Sequence, residues 1–357
     1  MSARLECIVS PSARAALDDL GRTEDVMFSP NGRRLAIAGF RANRLAIFDV
    51  AILQSEQVRK VIVGGVVEIE STVLRNPHGL CFLDDETLAV ANREGGVHLY
   101  AVPQRPPACS VQPIHTITGS TSVSIRNPGS VASFPLGPDA LELLVCHNYS
   151  NVVTRHVLDR RHGFASVQDD VLLRRGLQVP DGICFSSDGR WIAVSCHDTH
   201  EVVLYRRTPA LNADTAPEAV LRNVICPHGV RFTPDHRHLL VADAHARYVN
   251  VYARGDAGWR GVREPCRMFP VLDRATYLQG RSNPVEGGPK GIDIDPGMTV
   301  LACTTEFQTL AFFDVGQVLS RLARPDNWHR RYVQWRLAKA IHRRRPGLYG
   351  WLRPMWP

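Results

Sequence analysis

Five ionisable residues occupy the same short context at widely separated places in the chain. His78, Asp181, His228 and Lys290 each stand between a proline and a glycine, and Glu24 holds the equivalent place in TEDV. Two carboxylates and two imidazoles suit a divalent cation such as Zn²⁺, Mn²⁺ or Fe²⁺, whereas Ca²⁺ prefers more oxygen ligands. We therefore predict a metal site formed by Glu24, His78, Asp181 and His228, where Lys290 polarises a substrate oxygen.

For this chemistry the five residues must converge, and an internal repeat supplies the reason. The anchor prolines at 77, 128, 180, 227 and 289 are 51, 52, 47 and 62 residues apart, the period of a four-stranded unit with its loops. Six units are visible, beginning near Arg22, Asn76, Asn127, Val179, Cys226 and Gly288.

Each unit alternates apolar and polar residues in short runs separated by polar turns such as SPNG and SSDG. This period-two pattern is typical of strands, and its regular recurrence predicts an all-β, six-bladed β-propeller, since ring closure protects the sheet edges. The last unit lacks an outer strand, so we expect RLECIVS at 4–10 to complete the last blade and close the ring. The predicted domains are a propeller at 1–316 and a basic, Trp-rich helical extension at 317–357.

The first strand of each propeller blade lies innermost, so the residues that open these strands form a ring at the mouth of the axis. A tight turn into the strand accounts for the recurring Pro and Gly but does not require an ionisable residue between them. Convergence of ionisable groups in one concavity is typical of functional sites. The alternative is a wet channel in which these side chains pair among themselves. The ring consists of Glu24, His78, Gly129 or Ser130, Asp181, His228 and Lys290.

A second set of residues follows the second strand of each unit: Gly39, Asn92, His147, His197, Asp243 and Thr304. We predict that His147, His197 and Asp243 extend the axial pocket, with simple loop capping by these side chains as the alternative. The insertion at 274–289 lengthens the last spacing and suits a lid over the pocket.

The basic charge of the chain is concentrated in its C-terminal segment. Residues 321–357 carry ten Lys or Arg and one acid, which leaves 32 basic against 34 acidic residues elsewhere and argues against nucleic acid as a partner. Helical spacing places Trp328, Tyr332, Trp335 and Ala338 on one face, with arginines elsewhere. Such a helix suits an anionic membrane surface or an acidic protein, and packing on the propeller is the third interpretation.

The remaining composition favours a reduced intracellular protein. No apolar run is long enough for a signal peptide or a membrane span. The nine cysteines are odd in number and include no C-x-x-C pair, so we interpret them as small core residues. We therefore expect a cytoplasmic location, with the inner membrane face as an additional site if the tail binds lipid.

The repeat PHGVRFTPDHRHLLVADAHARYVNVY resembles the YVTN and NHL propeller repeats, and the six-unit count is similar to that of the senescence marker protein/gluconolactonase family. This resemblance covers about residues 22–315 and implies one divalent metal on the axis, with Glu24 at the place of the family's glutamate ligand. Asp181 and His228 fall where later Asn and Asp ligands of the family would be, so histidine replaces an oxygen ligand.

Two functions follow from these observations. If the resemblance extends to activity, the chain is a metal-dependent enzyme of the lactonase or esterase type that acts on a small molecule in the axial pocket, with Asp181 or a neighbouring imidazole moving the proton. The alternative is a non-catalytic propeller that serves as a protein-interaction scaffold, associated with a membrane through its tail. A set of four ligand-type residues on one ring favours the enzyme.

Overall fold

The computed structural model describes residues 4–54, 59–105, 110–120, 123–281 and 285–320, together with Val333 and Arg336. Apart from Val333 and Arg336, the tail from residue 321 onward lies outside the described residues, and with it the predicted amphipathic helix. Within the described part six β-sheets are arranged as the blades of a propeller, as the repeat predicts, and a two-stranded hairpin forms a seventh sheet.

The first three blades follow the chain order. Blade one begins with β1 (Glu6–Val9) and α1 (Pro11–Leu20), followed by β2 (Thr23–Phe28), β3 (Arg34–Gly39), β4 (Arg44–Gln54) and β5 (Arg59–Glu70). Blade two contains β6 (Pro77–Asp84), β7 (Thr87–Asn92), β8 (Val97–Ala101) and β9 (His115–Ile117). A hairpin of β10 (Gly119–Ser120) and β11 (Val123–Ser124) leads to blade three, which contains β12 (Pro128–Pro135), β13 (Ala140–His147), β14 (Val152–Asp159) and β15 (Ala165–Leu173).

Among the last three blades, one strand that follows blade five in the chain pairs with blade four. Blade four contains β16 (Pro180–Phe185), β17 (Trp191–Cys196), β18 (Glu201–Arg206) and β19 (Ala219–Leu221), and blade five begins with β20 (Pro227–Phe232), β21 (His238–Asp243) and β22 (Tyr248–Ala253). The chain then crosses back, so that β23 (Gly261–Arg263) pairs with β19, before β24 (Arg267–Pro270) pairs with β22. After α2 (Arg274–Gln279), blade six contains β25 (Pro289–Ile294), β26 (Val300–Thr305) and β27 (Ala311–Asp314) and is followed by α3 (Val315–Ser320).

The N-terminal segment joins the last blade to the first, but not in the predicted sheet. Leu5 N donates to Phe312 O of β27 at 2.9 Å, and Arg4 bridges Phe313. From Glu6 onward the strand leaves blade six and pairs in parallel with β5, as the fifth strand of blade one. The prediction that this strand completes the last blade is therefore wrong in its sheet, because β27 keeps only the first residues of the segment.

The hydrophobic core lies between neighbouring sheets rather than at one centre. Phe28 and Phe48 of blade one pack with Phe312 of blade six, and Tyr252 and Trp259 of blade five pack with blade four. The first strand of each blade contacts the first strand of the next, and β25 contacts β2. The six first strands therefore surround the axis and bring their opening residues together.

Candidate metal centre

The predicted ring forms at one end of the axis, where the first strands begin. Glu24, His78, Asp181, His228 and Lys290 are all at most 5% exposed. In blade three Ser130 lines the axial cavity, while Gly129 offers its carbonyl oxygen to His78. The structure thus brings every predicted ring residue to one buried cluster.

The glycine of the P-x-G phrase is explained by the close approach of neighbouring strands, rather than by the tight turn that the sequence predicts. A Cβ on Gly182 would lie 2.2 Å from His228 O, and one on Gly229 would lie 2.6 Å from Lys290 O. Glycine is thus required where neighbouring first strands approach each other around the axis. The left-handed backbone of the turn falls on the residue before the proline, with φ of 47° at Val179 and 51° at Cys226.

His78 presents a lone pair to the axis because its other nitrogen is fixed. Nδ1 lies 2.7 Å from Gly129 O, which makes Nδ1 the donor and leaves Nε2 as an acceptor. Arg93 Nη2 donates to this Nε2 at 2.5 Å. Burial, together with the charge of Arg93, lowers the pKa of His78 to about 3, so the imidazole is neutral at physiological pH.

Glu24 has one oxygen in use and one available to the axis. Oε1 accepts a hydrogen bond from Arg22, whereas the buried Oε2 has no well-aligned hydrogen bond and is contacted only by ionisable groups of the ring. Oε2 lies 3.1 Å from His228 Nε2 and 3.7 Å from His78 Nε2. Burial would raise the pKa of Glu24, but the charges of Arg22 and Lys290 outweigh it and hold this pKa well below 4.5.

Asp181 contacts the same histidines but is held by other groups. Oδ2 lies 3.1 Å from His228 Nε2, while Oδ1 accepts hydrogen bonds from Asn148 at 2.9 Å and Arg93 at 3.1 Å. Burial would raise the pKa of Asp181, but the neighbouring imidazoles and Arg93 lower it well below its ordinary value. Ligand atoms of Glu24, His78 and His228 lie within 4.8 Å of one another, and Asp181 is outside that group.

Lys290 belongs to a second ion-pair network above the ring. Its Nζ lies 3.6 Å from Glu24 Oε2 and pairs closely with Glu286, whose other oxygen lies 2.9 Å from His197 Nε2. Glu286 also lies 3.7 Å from Arg22. The charges of Lys290 and His197 outweigh burial and lower the pKa of Glu286 well below 4.5. The insertion predicted as a lid therefore supplies one carboxylate to the axial cluster.

Of the three predicted pocket residues, only His197 lies in this network. His147 uses its nitrogens within blade three, where Nε2 lies 2.9 Å from Thr154 Oγ1 and Nδ1 lies 3.0 Å from Arg126 O. Asp243 accepts hydrogen bonds from the amide of Ala246 in its own loop and from the amide of Ile225 just before β20. Neither lines the axial cavity, and their part in a wider pocket over the ring stays a prediction.

Sequence reasoning missed the correct register of these loops. Asn92 and His147 pair with the prolines that open the first strands, so the next residues, Arg93 and Asn148, reach the axis. A consistent alignment on the end of the second strand would have found both. It would also have placed Cys196, not His197, opposite Pro180.

A second buried charge cluster closes the axis below the ring. Arg231 lies 3.2 Å from Asp25 Oδ1 and 3.0 Å from Asp293 Oδ1. Burial raises the pKa of Asp293 to about 6 despite the charge of Arg231. The cavity between this cluster and the ring has a volume of only about 10 Å³, which is room for one water or one ion.

Comparisons with known proteins support the fold. No protein-family model matches the chain, and no curated protein matches it. A functionally unknown protein from Desulfotomaculum acetoxidans has a TM-score of 0.53 at 14% identity, over 82% of this chain and 83% of that one. Kuenenia stuttgartiensis hydrazine synthase has a TM-score of 0.53 at 16% identity, over 89% and 84%. A candidate 6-phosphogluconolactonase from Bacteroides uniformis has a TM-score of 0.46 at 11% identity, over 78% and 76%.

The two likenesses with a TM-score of 0.53 show the fold alone. Within the described residues no helix has the length and apolar character needed to cross a membrane.

Proposed function

We propose that this propeller binds one divalent transition-metal ion through Glu24, His78 and His228 and hydrolyses a lactone or ester at that centre. The observation that carries the proposal is the grouping of the buried Glu24 Oε2, which has no well-aligned hydrogen bond, with two imidazole nitrogens beside an ion-sized cavity. A buried carboxylate oxygen without a hydrogen bond is costly, and a cation at this place would remove that cost.

The donor set favours Zn²⁺, Mn²⁺ or Fe²⁺ over Ca²⁺ because two of the three ligands are imidazoles. The hydrogen bond from His78 Nδ1 to Gly129 O is the outer contact typical of metal-binding histidines, since it fixes the tautomer. Arg93 now uses the Nε2 lone pair of His78 and would have to release it, while keeping Asp181 as its partner. When bound, such an ion polarises a carbonyl and lowers the pKa of water.

The chain's own residues then orient the reactants. Asp181 stays ionised because of its low pKa, and its Oδ2 is placed beside His228 to accept a hydrogen bond from an attacking water. Lys290 Nζ, 3.6 Å from Glu24 Oε2, is a donor for a substrate oxygen. Since the cavity holds no more than one ion or one water, the substrate itself lies over the ring, beside Glu286 and Arg22.

The charges around the centre favour an anionic substrate. Glu24, Asp181 and Glu286 offset the permanent charges of Arg22, Arg93 and Lys290, which surround them in direct ion pairs. A divalent ion added to this balanced set leaves an excess of positive charge. A lactone or ester that carries a carboxylate or phosphate would therefore be drawn to the mouth of the axis.

Metal analysis of the purified protein tests the first half of the proposal. We expect about one equivalent of metal after reconstitution with Zn²⁺, Mn²⁺ or Fe²⁺, and loss of that metal in Glu24→Gln/His228→Ala. The matched control is Glu86→Gln/His162→Ala, which changes the same residue types at exposed positions and should keep the metal. Wild-type protein that takes up no metal would contradict the proposal and favour the scaffold.

Hydrolysis of a panel of anionic lactones and esters tests the second half. Asp181→Asn should retain the metal and lose about 100-fold or more in kcat, because the water loses its oriented acceptor. Metal binding without hydrolysis of any member of the panel would contradict the hydrolase activity, and only the metal site would remain supported. Since two histidines and one carboxylate also bind iron in oxygenases, retention of Fe²⁺ alone would point to that chemistry instead.

A further inference from the structure

A second cavity, of about 290 Å³, opens between blades four and five and is separate from the metal centre. Trp191 and Arg206 form its blade-four wall, at the paired ends of β17 and β18. Asp181 opens β16, and the opposite end of β17 pairs with that opening. The cavity therefore lies toward the opposite end of the propeller from the ring. Its lining residues, here called the arginine pocket, are Arg190, Trp191, Arg206, Arg254, Asp256, Ala257, Gly258 and Arg260.

The loop that forms the blade-five wall is fixed by a buried side chain and by hydrogen bonds. Trp259 is fully buried in the core between the two blades. Gly258 N donates to Gly255 O at 2.9 Å, and Arg263 donates to Gly258 O at 2.7 Å. The loop then continues into β23, which is paired with β19 of the neighbouring blade. The backbone that carries Arg254 and Arg260 is thereby anchored on both sides, while both residues are exposed at the cavity.

The charge of the pocket is strongly one-sided. Four of its eight lining residues are arginines, and Asp256 is its only acid. Arg190 and Arg260 each have one half-buried carboxylate outside the pocket as partner, Asp188 at 3.9 Å and Glu218 at 3.4 Å. Arg206 stacks toward the Trp191 ring, with Cζ 5.9 Å from the centroid. Among the described residues neither Arg206 nor Arg254 forms a salt bridge.

We propose that the arginine pocket binds a small ligand through its phosphate groups. Guanidinium groups match phosphate oxygens with paired, charge-assisted hydrogen bonds, and several arginines around one concavity can serve more than one phosphate. The volume is close to the lower limit for small-molecule pockets, which fits a compact phosphate ester or diphosphate. Folding does not require this cluster, because exposed arginines gain nothing from lying beside one another.

Calorimetric titration of the full-length, metal-stripped protein with inorganic pyrophosphate tests the proposal at constant ionic strength. Removing the metal prevents chelation at the axis from contributing heat. We expect wild-type protein to bind, and Arg206→Gln/Arg254→Gln to bind about tenfold or more weakly. The control Arg33→Gln/Arg161→Gln removes the same charge from exposed positions elsewhere and should bind like wild type.

The source of the phosphate is decided with vesicles that contain phosphatidic acid. Vesicle binding that weakens only in Arg206→Gln/Arg254→Gln, without pyrophosphate binding, would assign the phosphate to a lipid headgroup and support the site. Equal binding by all three proteins would trace the affinity to other basic segments, such as the C-terminal tail, and overturn the proposal. Absence of binding to both probes would overturn it as well.

Discussion

At the scale of single residues, two buried histidines differ in whether a ring nitrogen faces the axis. One ring nitrogen of His78 donates to the carbonyl oxygen of Gly129, and the other faces the axis. Both ring nitrogens of His147 make hydrogen bonds within blade three and the segment that leads into it, with Thr154 and Arg126. The hydrogen bond made by one ring nitrogen thus decides whether the other is available for chemistry.

His147 should make stability depend on pH. Burial lowers its pKa to about 4 in the folded protein, from 6.5 in the unfolded chain. The unfolded chain therefore binds the additional proton first, and the free energy of unfolding falls as pH decreases from 6.5 to 4, by at most about 1.4 kcal/mol per pH unit for this proton. We expect His147→Gln to lower the stability at pH 7 and to flatten this slope, as measured by urea unfolding between pH 4 and pH 7.

The control for this prediction is His162→Gln, whose side chain is 77% exposed and which should keep the wild-type slope. A slope unchanged in His147→Gln would show that other groups bind the proton.

The ring residues could be identified from sequence because they share one register with an obvious proline and glycine. Glu24, His78, Asp181, His228 and Lys290 were all predicted, and all five meet at the axis. Arg93 and Asn148 were missed because the pattern of the second strand does not mark where its loop turns inward. Glu286 could not be predicted, since an insertion without a repeat has no register to compare.

At the scale of elements, the contact between neighbouring first strands explains why the repeats of blades two, four, five and six keep the glycine of the P-x-G phrase. In these blades the backbone of the innermost strand runs so close to the next that a methyl group has no room. Gly291 shows the same restriction, since a Cβ there would lie 2.6 Å from Asp25 Cα. Backbone atoms cannot move aside as a flexible side chain can.

Gly229→Ala should therefore destabilise the propeller. The added Cβ would lie 2.6 Å from Lys290 O, so two strands must separate, at a cost of about 1–3 kcal/mol. Gly64→Ala is the matched control, since its Cβ would meet only an ordinary contact at 3.7 Å from Asp49 O. Urea unfolding of both metal-stripped variants measures the difference, and equal midpoints would contradict the explanation.

Strand pairing within each blade follows from local patterns, but pairing between blades does not. The polar turns SPNG and SSDG were predicted, and Gly32 and Gly189 there have φ of 69° and 65°. The return of β23 to β19 and the docking of β1 on β5 were not predicted. Alternation identifies a strand, whereas the choice of an outer partner depends on which sheet edge is free once the ring has formed.

At the scale of the whole molecule, the ring is joined by a short segment that bonds to both of its ends. Leu5 contacts the last blade and Glu6–Val9 pair with the first. Leu5, Cys7 and Val9 also pack against the core between those two blades. The segment therefore contributes to the stability of the closure although it is only a few residues long.

Deletion of residues 1–9 should lower the Tm by about 2–3 °C or more, since at least roughly 2 kcal/mol of apolar burial and strand pairing is lost. Calorimetry of the truncated and complete proteins measures the change. A finer comparison is Leu5→Pro against Leu5→Ala, because only proline also removes the N–H that Phe312 O accepts. An unchanged Tm on truncation would show that the ring closes without the segment.

The closure also has a consequence for synthesis. Thr23 Oγ1 donates to Thr305 O at 3.0 Å, a bond between residues 282 positions apart. Most pairing within a blade needs only neighbouring residues and can form while the chain is still being made, but this bond needs the last blade. Until then β2 and the core side chains of Phe28 and Phe48 remain open to other partners. We therefore expect a nascent chain arrested before residue 289 to hold separate blades without a finished axis, and so to be the form of this protein most exposed to aggregation.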